Sequence, residues 1–172
     1  MDNLSFDSEK FTAVWQRVTE SKSGTVPNKM HKTRDEIQTE SDRLCRMMDI
    51  LAQDAECLRI LSRKCHPRAR DTLQRMTREN LRTLKNLRVR YFILTGGSYS
   101  PACECQPFHT VSERLRMVHI NAVSLADKFT SAAKNHKNVT YNEFAKIKTR
   151  HAEIITCLIG NMMNQTYSHP LR

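Results

Sequence analysis

Displaced by 71 residues, the apolar skeleton of this chain falls onto itself. Leu44 meets Leu115, Met47 meets Val118, Leu51 meets Ala122, Ala55 meets Ala126 and Leu58 meets Phe129. Further on, Leu73 meets Phe144, Met76 meets Ile147, Leu84 meets Ile155 and Leu87 meets Leu158. Within each copy the apolar residues recur at steps of three and four, the period of amphipathic helices. One helical hairpin is therefore written twice. Two copies related by a twofold axis need their second and third helices to run parallel, which requires a long crossover between them.

The composition agrees with helices throughout. The 172 residues include only four glycines and five prolines, while Leu, Met, Ala, Arg and Lys, all good helix formers, are abundant. The length is that of one domain able to bury a shared core without disulfides. No run approaches the roughly 18 to 20 apolar residues that a membrane span needs. The start, MDNLSFDSEK, lacks the basic-then-apolar pattern of a secretory signal. A cytoplasmic protein with no membrane span is expected, and the six cysteines (Cys45, Cys57, Cys65, Cys103, Cys105, Cys157) fit a reducing compartment. Most stand singly in helical patterns, where a thiol behaves as a small hydrophobe.

Residues 1–32 read as a short amphipathic helix, from about Ser8 to Glu20 with Phe11, Val14, Trp15 and Val18 at helical spacing, followed by a linker containing Gly24 and Pro27. The bundle follows over residues 33–165. Its first hairpin, 33–95, begins with a helix from about Thr33 to Lys64 whose seam is Ser41, Leu44, Met48, Leu51, Ala55, Leu58 and Ser62. That helix stops at Cys65-His66-Pro67, because proline disfavours helix in the residue before it and suits the first turn of the next. The second helix, Pro67 to about Thr95, presents Ala69, Leu73, Met76, Asn80, Thr83, Leu87 and Tyr91, and Gly96-Gly97 ends it. Residues 96–109 form the crossover. In the second hairpin, 110–165, one helix places Leu115, Val118, Ala122, Leu125, Phe129 and Ala132 inward. The last opens on a capping box of Thr140 and Glu143 and continues with Phe144, Ile147, His151, Ile154, Leu158 and Met162. Residues 166–172 are a tail.

The segments YFILTGGSYSP (Tyr91 to Pro101) and FTAVWQRVTES (Phe11 to Ser21), with the basic helix between them, resemble the rubrerythrin-like branch of the ferritin-like superfamily. The resemblance covers nearly the whole chain. It implies an all-α, ferritin-like four-helix bundle of two repeated hairpins joined by a long crossover, plus the short N-terminal helix. Active members bind two iron or manganese ions with one Glu from each of the first and third helices and a Glu-x-x-His from each of the others. Carried onto this chain, the ligand positions are Leu51, Asn80, Thr83, Ala122, His151 and Ile154. None is an acid. A shifted alignment brings in Glu79, and another keeps His151 as ligand with Lys148 in the glutamate's place, but neither restores four carboxylates. Without them two divalent cations cannot be neutralised in a low-dielectric core, so the resemblance implies a vestigial site and no metal cofactor.

Asn80, Thr83 and His151 face the seam and read as a hydrogen-bonded polar cluster, His151 to Asn80, with a small mononuclear metal or ligand pocket as the alternative. Cys103, Cys105 and His109 in the crossover, with Cys65 or His66, carry donors compatible with a metal but lack paired C-x-x-C spacing. Residues 63–90 hold ten Lys or Arg against two acids, Asp71 and Glu79. Arg75, Arg78, Arg82 and Lys85 recur there at steps of three and four on the outer face, a stripe that phosphate backbones or another polyanion would neutralise. The methionines read as core or interface filler. No nucleophile with a base, phosphate-cradling glycine loop or dinucleotide fingerprint occurs.

These readings rank three functions. The first is a non-catalytic bundle with a binding, structural or assembly role, as a homo-oligomer or with a protein partner. The second is a redox protein acting on oxygen or peroxide, with iron or manganese held by His151, Glu79 and Glu153. The third is a basic protein that associates with nucleic acid.

Overall fold

The computed structural model describes residues 33–103, 107–136 and 139–167. The chain divides into two units, Met1–Arg34 and Asp35–Arg172, and the following concerns the second. The expected N-terminal helix with Phe11 and Trp15, and the linker after it, lie outside the described residues. The described residues form four helices and no strand: α1 (Arg34–Lys64), α2 (Pro67–Thr95), α3 (Val111–His136) and α4 (Val139–Tyr167).

The helix ends follow local chemistry. Pro67 opens α2, and the His66 imidazole accepts the Arg68 N–H at 3.3 Å. Gly96 closes α2 in the left-handed region, φ 72°, with its N–H on the Phe92 carbonyl at 2.8 Å. A capping box opens α3: Thr110 Oγ1 accepts the Glu113 N–H at 3.0 Å and the Glu113 carboxylate accepts the His109 N–H at 3.1 Å. Thr140 lies in the first turn of α4, which begins at Val139.

Two apolar clusters fill the bundle. One joins Leu44, Met47, Met48 and Leu51 of α1 to Leu84 and Leu87 of α2, Leu125 and Phe129 of α3, and Tyr141 and Phe144 of α4. The other joins Cys57, Leu58 and Leu61 to Leu73 and Met76, Leu115 and Val118, and Ile155. The first cluster therefore takes the beginnings of α1 and α4 and the ends of α2 and α3, and the second takes the reverse. Helices α1 and α4 run one way, α2 and α3 the other.

Because α2 and α3 are consecutive and parallel, the connection between them must return along the bundle. Tyr99 Oη donates to the Asp49 carboxylate at 2.8 Å, Cys103 Sγ lies 3.6 Å from the Ala52 carbonyl, and Phe108 lies beneath the Lys64 ammonium at 4.8 Å. The loop thus climbs α1 from its middle to its end. At about 1.5 Å per residue a helix like α1 is about 45 Å long, within the reach of fifteen extended residues.

The seams expected for α1 and α3 are buried throughout, from Ser41 to Ser62 and from Leu115 to Ala132. On α4 the seam is displaced: Phe144, Lys148, His151 and Ile155 are buried, while Ile147, Ile154 and Leu158 are only half-buried. Of the pairs that the displacement of 71 brings together, Leu44 with Leu115, Met47 with Val118, Leu51 with Ala122, Ala55 with Ala126, Leu58 with Phe129, Leu73 with Phe144 and Leu84 with Ile155 are buried in both copies. The hairpin turns repeat at nearly the same distance: α1 and α3 end at Lys64 and His136, and α2 and α4 begin at Pro67 and Val139, each 72 residues apart.

Candidate functional site

Between the two apolar clusters lies a polar layer, built from one position on each of α1 and α3 and two positions on each of α2 and α4. Asp54 of α1 is 1% exposed, and its Oδ1 accepts from Asn121 Nδ2 of α3 at 2.8 Å. Lys148 of α4 is likewise 1% exposed, and its ammonium donates to Asn80 Oδ1 of α2 at 2.6 Å. One turn further along each of those helices stand buried Thr83 and His151. Thr83 turns its hydroxyl back onto the Glu79 carbonyl at 3.0 Å. His151 Nε2 meets Glu79 Oε2 at 2.6 Å, and Arg150 Nη2 holds the other oxygen of Glu79 at 2.7 Å.

His151 therefore pairs with Glu79, not with Asn80 as the sequence suggested. Asn80 is taken by Lys148, whose four-carbon stem lets an ammonium from α4 reach the bundle middle. The layer also contains an acid, Asp54, that the sequence alignment passed over. It lies three residues after Leu51 and four before Leu58, on the same helix face.

Burial controls the charges. It pushes Asp54 up to about 6, against the attraction of Lys148 and the hydrogen bond from Asn121. It pushes Lys148 down to about 8, opposed by Asp54 and Glu79. For His151, burial and the neighbouring Lys148 charge lower the imidazole to about 4, outweighing the Glu79 hydrogen bond. Burial also raises Glu79, but the hydrogen bonds from His151 and Arg150 overcome it and hold the carboxyl below its ordinary value. At pH 7 the His151–Glu79 contact is thus a neutral imidazole donating to a carboxylate, and Nε2 carries the proton because the carboxylate can only accept. Asp54 Oδ2 and Asn80 Nδ2 are buried and make no hydrogen bond.

The six positions implied by the resemblance differ in their surroundings. Leu51 and Ala122 pack as apolar core, Asn80, Thr83 and His151 belong to the polar layer, and Ile154 is half-buried beside the second cluster. Glu153 is exposed two residues beyond His151, about 200° around the helix, and lines a surface hollow with Thr130 and Arg150. In the crossover, Cys103 is exposed beside Ala52, while Cys65 and His66 lie at the far end of α1. Thirteen helical residues separate those places, about 20 Å, too far to share an ion. His109 uses its backbone N–H to cap α3, and Cys105 lies outside the described residues. Among the described residues no group of three His, Cys, Asp or Glu side chains is placed to hold a metal ion.

Arg75, Arg78, Arg82 and Lys85 stand exposed on the outer face of α2. Interleaved with them and continuing to the helix end are exposed Leu81, Val89, Phe92 and Ile93. No described helix is long and apolar enough to cross a membrane. Compared with protein-family models, curated proteins and solved structures, the chain matches none.

Proposed function

We propose that this chain is a ferritin-like bundle that has lost its di-metal carboxylate site and serves a binding, structural or assembly role in the cytoplasm without chemistry of its own. The pattern of its polar layer supports the reading. Di-metal bundles draw one ligand from each of two helices and a pair three residues apart from each of the other two. Here the corresponding places are Asp54 on α1, Asn121 on α3, Asn80 with Thr83 on α2, and Lys148 with His151 on α4. Amides and an ammonium stand at three of the four places where carboxylates would be needed, Asp54 alone is an acid, and a hydroxyl replaces one of the two imidazoles.

The observation that carries the proposal is the Lys148 ammonium 2.6 Å from Asn80 in the middle of the bundle. A fixed positive charge there repels divalent cations, and one buried carboxylate cannot offset two of them. The exposed Phe92 and Ile93 support association with another protein surface or a second copy. The deciding experiment equilibrates the purified protein with ferrous iron or manganese, removes unbound metal and measures what remains. Background metal is expected. Two ions per chain would replace this reading with the redox alternative.

A second reading, binding of nucleic acid or another polyanion, is favoured by one observation. Arg75, Arg78, Arg82 and Lys85 are exposed on one face, with no carboxylate of the described residues paired to them. Their repulsion is relieved by phosphates. Retention on heparin that weakens steeply with salt, and is lost when the four become glutamine, is expected; equal elution of both proteins removes this reading.

A further inference from the structure

Resting on the metal-free reading above, we infer that the middle of the bundle is a cation cradle whose occupant is the chain's own Lys148 ammonium. The cradle has walls from two helices. From α2, Asn80 turns its carbonyl oxygen onto the ammonium at 2.6 Å and leaves its amide nitrogen without a hydrogen bond. From α1, Asp54 gives one oxygen to Asn121 at 2.8 Å and keeps the other, also buried, without a partner. From the rim, Glu79 adds a second negative charge that acts on Lys148.

An amide turned carbonyl-first and a half-engaged carboxylate present oxygen to a cation and nothing to an anion. An isolated carboxylate as deeply buried as Asp54 would be strongly unfavourable, and the lysine that offsets it is itself 1% exposed. In a di-metal bundle the ions tie the helices together at this level. Here a side chain anchored on α4 reaches a neutral acceptor on α2 and acts on a charge on α1, and so performs that tying without any ion taken from solution.

A side chain that served only through its apolar stem would be replaceable by methionine, and the cradle is not. Thermal unfolding of the whole chain near neutral pH tests the difference. Lys148→Ala removes the equivalent of propylammonium and is expected to lower the midpoint by about 10 °C or more. Refolding that variant in propylammonium chloride should recover part of the loss, whereas sodium chloride at the same ionic strength should not, and the wild type should respond equally to both salts. An unchanged midpoint in K148A, or the same response of K148A to the two salts, would overturn the cradle.

Should K148A fail to fold, the pair K148M and D54N/K148M decides. The double variant, with both charges gone, is expected to melt above K148M, and a double variant no more stable than K148M also overturns the inference. Uptake of two ferrous ions by the wild type would instead sink the metal-free reading. Indifference of K148A to propylammonium sinks the cradle alone.

Discussion

Glu79 on α2 and His151 on α4 meet at 2.6 Å, with the buried imidazole donating to a carboxylate that is a quarter exposed. The second oxygen of Glu79 takes Arg150 from the bundle surface at 2.7 Å. A single acid thus closes the polar layer on the α2–α4 side. Lys148 and Asn80 join the same two helices a turn away, and Asp54 with Asn121 joins α1 to α3. Each contact links helices of different hairpins, so the polar layer fastens hairpin to hairpin while the apolar clusters fill either end.

Removing Glu79 should cost more than removing its surface partner. Glu79→Ala leaves a buried imidazole N–H unpaired, and a loss of about 1 to 2 kcal/mol is expected in denaturant unfolding. Arg150 is half-exposed, and Arg150→Ala should cost less than about 1 kcal/mol. A larger loss for R150A than for E79A would mean that the surface ion pair, not the buried hydrogen bond, holds this corner.

Acid stability should show two opposed titrations. His151 has its pKa lowered from 6.5 to about 4, so the stability tied to its neutral form is complete above pH 6.5 and is lost as pH falls through 4. Asp54 has its pKa raised from 3.8 to about 6, so its contribution is complete below pH 3.8 and is lost as pH rises through 6. Over the shared window the two nearly cancel, and the wild type should be almost flat. Asp54→Asn should uncover a loss of stability on acidification and His151→Phe a gain. Denaturant midpoints at several pH values measure both slopes, and parallel slopes in the two variants would contradict this assignment.

Helix ends were legible in the sequence because their causes are local: Pro67 after Cys65-His66, and Gly96 at the only positive φ among the described glycines. The fold class was legible from the apolar period. So was the repeat, because the same apolar faces recur in both hairpins. Asp54 was not legible as a buried group, and Lys148 was legible only as a stand-in for a glutamate ligand. Asp54 and Lys148 interrupt apolar seams, where a charged residue reads as belonging to the outside. The available signal was position: Lys148 falls four residues after Phe144 and three before His151, on the inward face of α4.

Gly96 and Gly97 should respond differently to alanine. Gly96 has φ 72° and nothing within 4 Å of an added Cβ, so Gly96→Ala meets backbone strain and no clash. A cost of about 1 kcal/mol is expected. At Gly97 the nearest atom to an added Cβ is Thr95 Oγ1 at 3.7 Å, an ordinary contact without positive φ, and Gly97→Ala should be close to neutral. Unfolding of the two variants side by side checks the ranking, which an equal loss would refute.

The crossover is fastened to α1 through Tyr99, and that clasp can be read spectroscopically. The hydrogen bond to Asp49, with burial, pushes the phenol up to about 12, because ionising the phenol would set two negative oxygens against each other. Asp49→Asn removes the negative partner but preserves the side chain's size. Alkaline difference absorbance near 295 nm should therefore show two tyrosines titrating late in the wild type, Tyr99 and Tyr141, whose phenol burial also raises, with one of them returning toward the usual value of about 10 in D49N. Tyr99→Phe should delete one of the two late transitions altogether and cost about 1 kcal/mol of stability. Releasing Tyr99 should also loosen the contact of the already exposed Cys103 thiol with the Ala52 carbonyl, and faster reaction of Cys103 with a thiol reagent is expected in Y99F than in the wild type. Late absorbance that is undiminished in Y99F would place the shifted phenol elsewhere and remove the clasp from α1.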